Sequence, residues 1–304
     1  MEKSSNKLWI YISVSIAVIF WGLSIIWTND LIKLDVPIYG FIAVRMIIAS
    51  LALLLVSSLA KKLQKIKKGD FKIIFAMAFF EPFIYFIGES YGLKYTQSPT
   101  VTAVVIATIP IFTLMMGRFV FKEMLTFFNV IGIAVTIPGV ILMVNSKSFS
   151  VEYWYGILFL VLALFAAVGY SSLVKVLTVK NYNSYTIATY QFTIAAVLFI
   201  PLYIALDWNT MPIWEMMTYD ILKPIIALAL LCSCLSFVLY INSIKHLGIS
   251  KAVVFTSLIP FVSAVAAYFL GHETFNIYQI LGVVVVTAGV IIAQIPGRRK
   301  TALK

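Results

Sequence analysis

The sequence predicts an all-α integral membrane protein of ten transmembrane helices, arranged as two inverted five-helix repeats. Three observations carry that prediction. Apolar residues make up 62 % of the 304-residue chain and charged residues only 12 %, against about 25 % charged in soluble domains. The apolar residues fall in stretches of about 20, the length a helix needs to cross the hydrocarbon core. Finally, the second half repeats the first at an offset of 150 residues. Pro110, Glu123, Gly132 and Gly139 recur as Pro260, Glu273, Gly282 and Gly289, and Ile109, Phe119, Val135, Val140 and Ile141 as Ile259, Phe269, Val285, Val290 and Ile291. Outer-membrane strands do not fit, because they alternate over about ten residues.

The apolar stretches run over 8–28, 38–59, 71–92, 98–117, 127–145, 154–174, 185–206, 222–243, 250–270 and 275–295. Lys3 and Lys7 precede the first as in a signal peptide. It ends in Trp27, Thr28, Asn29 and Asp30 with no small-residue cleavage site, so it reads as a helix. In the third, Pro82 after Glu81 predicts a local distortion. Pro110 and Pro260 fall mid-helix in the fourth and ninth, where each removes a backbone hydrogen bond and kinks the helix. Glu123 and Glu273 follow those helices and are placed to stabilise the amino ends of the fifth and tenth. The glycine pairs there are seven apart and share a face suited to close packing, including a contact between copies of the chain. Cys232 and Cys234, two apart in the eighth stretch, point to different faces, so neither a disulfide nor a metal pair is expected.

The net charge of +11 invites a nucleic-acid reading, but its distribution gives a better one. With both termini in the cytoplasm, eighteen of the 23 cations fall on the cytoplasmic side, from Lys3 and Lys7 through the run 61–68 to Arg298, Arg299 and Lys300. The opposite side holds Lys33, Lys94, Lys147 and Lys223. That is the positive-inside rule of an inner (plasma) membrane protein. Because each half has an odd number of helices, residues 146–304 must enter the membrane from the side opposite to residues 1–145, and the repeat is inverted, a common build of transporters. Weaker echoes extend it: Tyr39, Ile48 and Ala49 match Tyr185, Ile194 and Ala195 at offset 146, and Trp21 falls opposite Tyr170 at 149.

At this point the chain resembles the drug/metabolite transporter superfamily, and within it the EamA-type ten-helix carriers. The resemblance rests on Phe20-Trp21-Gly22, Arg45, Tyr91-Gly92-Leu93-Lys94-Tyr95-Thr96, Pro110, Glu123, Gly132 and Gly139. In the second half it rests on Ile244-Lys245-His246-Leu247-Gly248, Pro260, Glu273, Gly282 and Gly289. It implies export of an amino acid, metabolite or toxic compound through a central cavity formed mostly by helices 1, 3, 4, 6, 8 and 9. Importers and facilitative permeases are the alternative within the class.

Charges that the bilayer makes costly, roughly 2.5–3.5 kcal/mol each at mid-membrane, are functional candidates by default. These are Arg45, Glu81 and Glu89. Glu81 lies ~15 Å from the inner end of its helix, and Glu81, Tyr85 and Glu89 share one stripe at four-residue spacing. In a structural reading, Arg45 pairs with one glutamate and fixes helix 2 to helix 3. In the functional reading, Glu81 accepts a proton or an amino group, since burial disfavours an ionised carboxylate. Trp21 and Tyr170, which the resemblance implies face the cavity, are candidates to hold apolar, aromatic or cationic groups. Gln191 takes the repeat position of Arg45 and is a candidate to donate a hydrogen bond to substrate. Ser24, Ser171, Ser172, Tyr240 and Asn242 are weaker candidates for polar lining, because membrane serines tend to bond their own backbone. His246 and His272 read as exposed helix-end residues.

An integral-membrane enzyme is the competing class. Neither histidine has a metal-ligating companion at helical spacing, and no HExxH, nucleophile elbow or GxxxxGK[ST] loop occurs. No cofactor, metal or nucleic acid is expected. The expected partners are a small-molecule substrate, lipid and protons, with the chain a monomer or homodimer.

Overall fold

A computed structural model describes residues 2–120, 126–144, 150–274, 276–293 and 295. Among them every regular element is helical. Ten spans follow in order: α1 (Glu2–Lys33), α2 (Ile38–Leu59), α3 (Lys68–Thr96), α4 (residues 99–120), α5 (Phe127–Val144), α6 (Val151–Val179), α7 (Ser184–Asp207), α8 (Tyr219–Leu247), α9 (residues 249–269) and α10 (Ile277–Ala293). Seven include a stretch long and apolar enough to cross a membrane, and three shorter apolar stretches lie at Pro99–Thr113, Phe127–Leu142 and Ile277–Ala293. Many large apolar side chains, such as Leu51, Leu158 and Val197, stand exposed on the outside, as lipid-facing residues do.

Neighbouring spans are matched across the halves. α2 lies along α7, α5 along α10 and α4 against α9. α3 packs on α6 as α8 packs on α1, and α4 meets α6 as α9 meets α1. Exchanging each helix with the one five places on leaves this set of neighbours unchanged. Polar ties cross the α2–α7 seam, where the hydroxyls of Ser50 and Thr193 approach to 2.8 Å and those of Ser57 and Thr189 to 2.9 Å.

The α5–α10 contact explains the spaced glycines. A Cβ on Gly132 would sit 2.3 Å from the Ala293 backbone nitrogen, and one on Gly289 2.8 Å from the Thr136 nitrogen. Both glycines therefore serve packing within the chain, with backbones close enough that no larger residue fits. Each of these helices opens with a capping box. Thr126 and Asn129 exchange backbone-to-side-chain bonds of 2.6 and 3.2 Å, and Asn276 and Gln279, 150 residues on, exchange bonds of 3.0 and 2.9 Å.

The prolines and Glu273 take places that the sequence alone does not show. α4 is broken, with helices Pro99–Ile106 and Ile109–Val120 separated by a turn at Ala107 and Thr108. α9 is likewise Ile249–Val254, a 3-10 segment Phe255–Leu258, then Ile259–Phe269. Pro110 and Pro260 thus begin the second piece of each span and do not kink a continuous helix. In a first turn the missing N–H costs no hydrogen bond. Glu273 reaches across to the amino end of α4: Ser98 and Thr100 donate their hydroxyls to its carboxylate, and the Thr100 N–H follows at 3.3 Å. Glu123 lies outside the described residues.

Both third helices of the halves contain a wide, π-helical stretch, Phe79–Ile84 in α3 and Leu228–Leu235 in α8. Such stretches recur at functional sites. In α3 the expected distortion falls on Glu81 itself, whose φ of −142° and ψ of 120° leave the helix, with a cis bond to Pro82.

Candidate functional site

The two distorted helices both contribute to the wall of a cavity of about 50 Å³ between the halves. Trp21, Ser24 and Ile25 come from α1, Arg45 from α2, Glu81, Tyr85, Phe86 and Glu89 from α3, and Ala167, Tyr170 and Ser171 from α6. Phe237 and Tyr240 come from α8. α4 and α9 contribute repeat-equivalent pairs, Ile106 with Thr256 and Ile109 with Ile259, each beside the break in its span. Sites for small molecules measure about 300–1,000 Å³, so in this conformation the cavity is narrower than an organic solute needs.

The buried charges meet here without forming an ion pair. Arg45 donates from Nε to Ser233 Oγ at 2.9 Å, and its guanidinium carbon lies 4.0 Å from the Phe86 ring centre. The structural pairing of Arg45 with a glutamate is therefore not made; the side chain ties α2 to α8 and stacks on α3. Glu89 accepts a bond from Tyr85 Oη at 3.1 Å. The carboxylate of Glu81 has no hydrogen-bond partner among the described residues, although the residue is 8 % exposed. Two carboxylates against one guanidinium leave the cavity one negative charge in excess if all three ionise.

Gln191 lies beneath the site rather than on its wall. Its Nε2 donates to the Glu81 carbonyl at 3.1 Å, and its Oε1 accepts from Tyr170 Oη at 3.4 Å. The carbonyl freed by the distortion in α3 thereby finds the partner that a low-dielectric interior demands. Trp21 donates from Nε1 to the Cys232 carbonyl at 3.2 Å, in the π-helical stretch of α8, and its ring meets those of Tyr240 and Phe237 edge-on, with centres 4.8 and 5.2 Å apart. Tyr170 meets Phe237 from the other side at 6.0 Å. The hydroxyls of Tyr240 and Ser171 line the cavity without a protein partner among the described residues.

Seven of the eight expected site residues thus share one cavity, and the eighth supports it. The wall residues that sequence reasoning missed, Phe86, Phe237, Ile106 and Thr256, are apolar or weakly polar positions in apolar helices. The repeat marked only their neighbours Ile109 and Ile259, which also reach the wall. Ser24 and Ser172 bond their own helices, at Trp21 O and Val168 O. Cys232 and Cys234 diverge as expected, toward the carbonyls of Phe20 in α1 and Ala49 in α2. His272 departs from its expectation. It is largely enclosed, with Nε2 3.3 Å from Asp30 and Nδ1 3.2 Å from the Asn29 amide, and it joins the end of α1 to the loop after α9.

A polytopic helical bundle whose halves enclose a charged, aromatic-walled chamber has the plan of a membrane carrier. The chain belongs to the EamA-like transporter family, whose model matches it twice, over residues 8–145 and 154–294. It is 26 % identical over 286 residues to an uncharacterized transporter of Archaeoglobus fulgidus, covering 94 % of this chain and 98 % of that one. It is 20 % identical to the uncharacterized transporter YetK of Bacillus subtilis, covering 96 % and 88 %. One crystal structure shares the fold at a TM-score of 0.72 and 16 % identity, over 97 % of this chain and 99 % of that one.

Proposed function

We propose that this protein is a secondary active transporter of the plasma (inner) membrane, with both termini cytoplasmic, that exports a small organic solute by alternating access coupled to protons. The two halves, inverted relative to each other, rock about the central chamber and open it to one side at a time. Export follows the direction of the carriers that the sequence resembles.

The observation that carries the coupling is the buried carboxylate of Glu81, without a hydrogen-bond partner among the described residues, in the wall of the central chamber. An uncompensated charge at that depth is costly, so the chamber favours an occupant that neutralises it: a proton, or the ammonium group of a substrate. One carboxylate cannot hold both, and that exclusion makes the exchange an antiport. The aromatic faces of Trp21 and Tyr240 suit a cation or a flat apolar group, and the free hydroxyls of Tyr240 and Ser171 are available to orient it.

Reconstituted protein in proteoliposomes, given a metabolite panel with and without a pH gradient, tests the reading. Gradient-driven flux of a member of the panel, lost in Glu81→Gln, is the expected result. Flux indifferent to the gradient and unchanged in that variant would overturn the coupling, and no flux or binding for any solute would overturn the carrier reading itself.

A further inference from the structure

Outside the central chamber, the repeat builds a second pair of recesses, one at each end of the bundle. The first, of about 280 Å³, lies between the end of α2, the start of α7 and the end of α8, and is lined by Lys62, Asn183, Tyr185, Asn242, Lys245 and His246. The second, of about 180 Å³, lies between the α1–α2 connection, the end of α3 and the end of α7, and includes Asp35, Tyr91, Lys94 and Asp207. Tyr91 and Lys94 correspond to Asn242 and Lys245 at an offset of 151. The architecture is duplicated, yet the charge is not. Asp35 and Asp207 balance Lys94 in one recess, whereas among the described residues no acid lines the other.

The basic recess is organised. Lys62 Nζ stands 4.4 Å from the centre of the Tyr185 ring, and the Asn183 side chain donates to the Lys62 carbonyl while accepting the Thr186 N–H at 2.8 Å. These bonds pin the lysine's backbone to the amino end of α7, itself a favourable place for an anion. The side-chain amide of Asn242 faces the recess with no partner among the described residues. Beside it, α2 ends in the exposed side chains of Leu55 and Leu59, an apolar flank that suits an acyl chain.

We propose that this recess holds the phosphate of an anionic phospholipid, with Lys62 and Lys245 as charge partners, the Asn242 amide as donor and the acyl chains along the end of α2. On the orientation proposed above, the recess faces the leaflet whose anionic lipids attract basic residues.

The test uses the full-length protein in phosphatidylcholine nanodiscs titrated with phosphatidylglycerol, reading bound lipid by native mass spectrometry and the thermal midpoint in parallel. Phosphatidylglycerol is expected to bind selectively and raise the midpoint, with inorganic phosphate at millimolar concentration having no effect. K62Q/K245Q should weaken phosphatidylglycerol binding roughly 25-fold, at about fivefold per lysine, whereas K65Q/K68Q, an equal change of charge nearby, should change it by less than about twofold. N242F fills the recess without altering charge and should weaken binding too, which keeps the test valid if the double lysine variant misfolds. Equal binding of phosphatidylcholine, equal losses in the two lysine pairs, or full protection by phosphate alone would each overturn the proposal.

Discussion

Helices α3 and α8 occupy equivalent places in the two halves and are built alike. Each enters its half through a short helix, widens into a π-helical stretch and resumes as an ordinary helix (Tyr85–Thr96 and Ser236–Leu247). Their chemistry is opposite. At the offset of 151 residues that aligns them, Glu81 and Glu89 of α3 meet Cys232 and Tyr240 of α8, and in place of carboxylates α8 offers Ser233 to Arg45 and the Cys232 carbonyl to Trp21. Arg45 and Gln191 show the same split in α2 and α7: the arginine reaches the cavity, while its counterpart holds the backbone of Glu81. Duplicated positions build the frame, and unduplicated ones supply its charge.

The largest effect should follow from removing the asymmetry. Glu81→Gln is expected to reduce gradient-driven transport to the level of protein-free vesicles, while the protein stays folded by size-exclusion profile. Glu89→Gln should retain part of the transport, because an amide oxygen still accepts the Tyr85 hydroxyl. Equal losses in the two variants would mean that the carboxylates act as one unit and that the free carboxylate of Glu81 is not special.

Next come substitutions in the frame, which should act in either half. Gly132→Val and Gly289→Val each push a side chain into the facing helix, with Cβ contacts of 2.3 Å to Ala293 and 2.4 Å to Thr136. Each should cost at least ~1–3 kcal/mol, as overpacking does, read as a lowered thermal midpoint or loss of the monodisperse peak. Tolerance in one half alone would show that the α5–α10 seam is less symmetric than its spacing. A smaller loss, about 1–3 kcal/mol from an unsatisfied buried carbonyl, is expected for Gln191→Ala, measured by denaturant titration in micelles. If that variant kept full stability, Gln191 would not be what satisfies the Glu81 carbonyl.

Much of this frame was legible in the chain. Ten apolar stretches and a fixed offset gave the helices because the bilayer imposes a length and leaves few alternatives for the backbone. Glu81, Glu89 and Arg45 were legible for the same reason, as charges where charge is expensive. What stayed hidden depends on partners distant in sequence. Nothing near Glu273 announces that it serves Ser98 and Thr100, some 175 positions away, and nothing in Phe237 separates a residue that packs against Trp21, Tyr170 and Phe192 from any other phenylalanine in an apolar helix. The breaks at Ala107–Thr108 and Phe255–Leu258 were masked by the prolines that follow them, since proline is compatible with a kink and with a fresh start alike.

The smallest expected effect is the sharpest test of duplication. Thr126 and Asn276 stand 150 residues apart, and each side chain accepts the backbone N–H three residues on, at 3.2 and 2.9 Å. A lost N-cap typically costs 0.5–2 kcal/mol, so Thr126→Ala and Asn276→Ala should each lower unfolding stability by about 1 kcal/mol, with transport untouched. The chamber lies at the breaks of α4 and α9, not at the starts of α5 and α10, so a cap can loosen its helix without reaching Glu81. If one variant alone lost transport, the α5–α10 pair would be part of the moving machinery in that half. Equal, purely structural losses would leave function where symmetry fails, on α2 and α3.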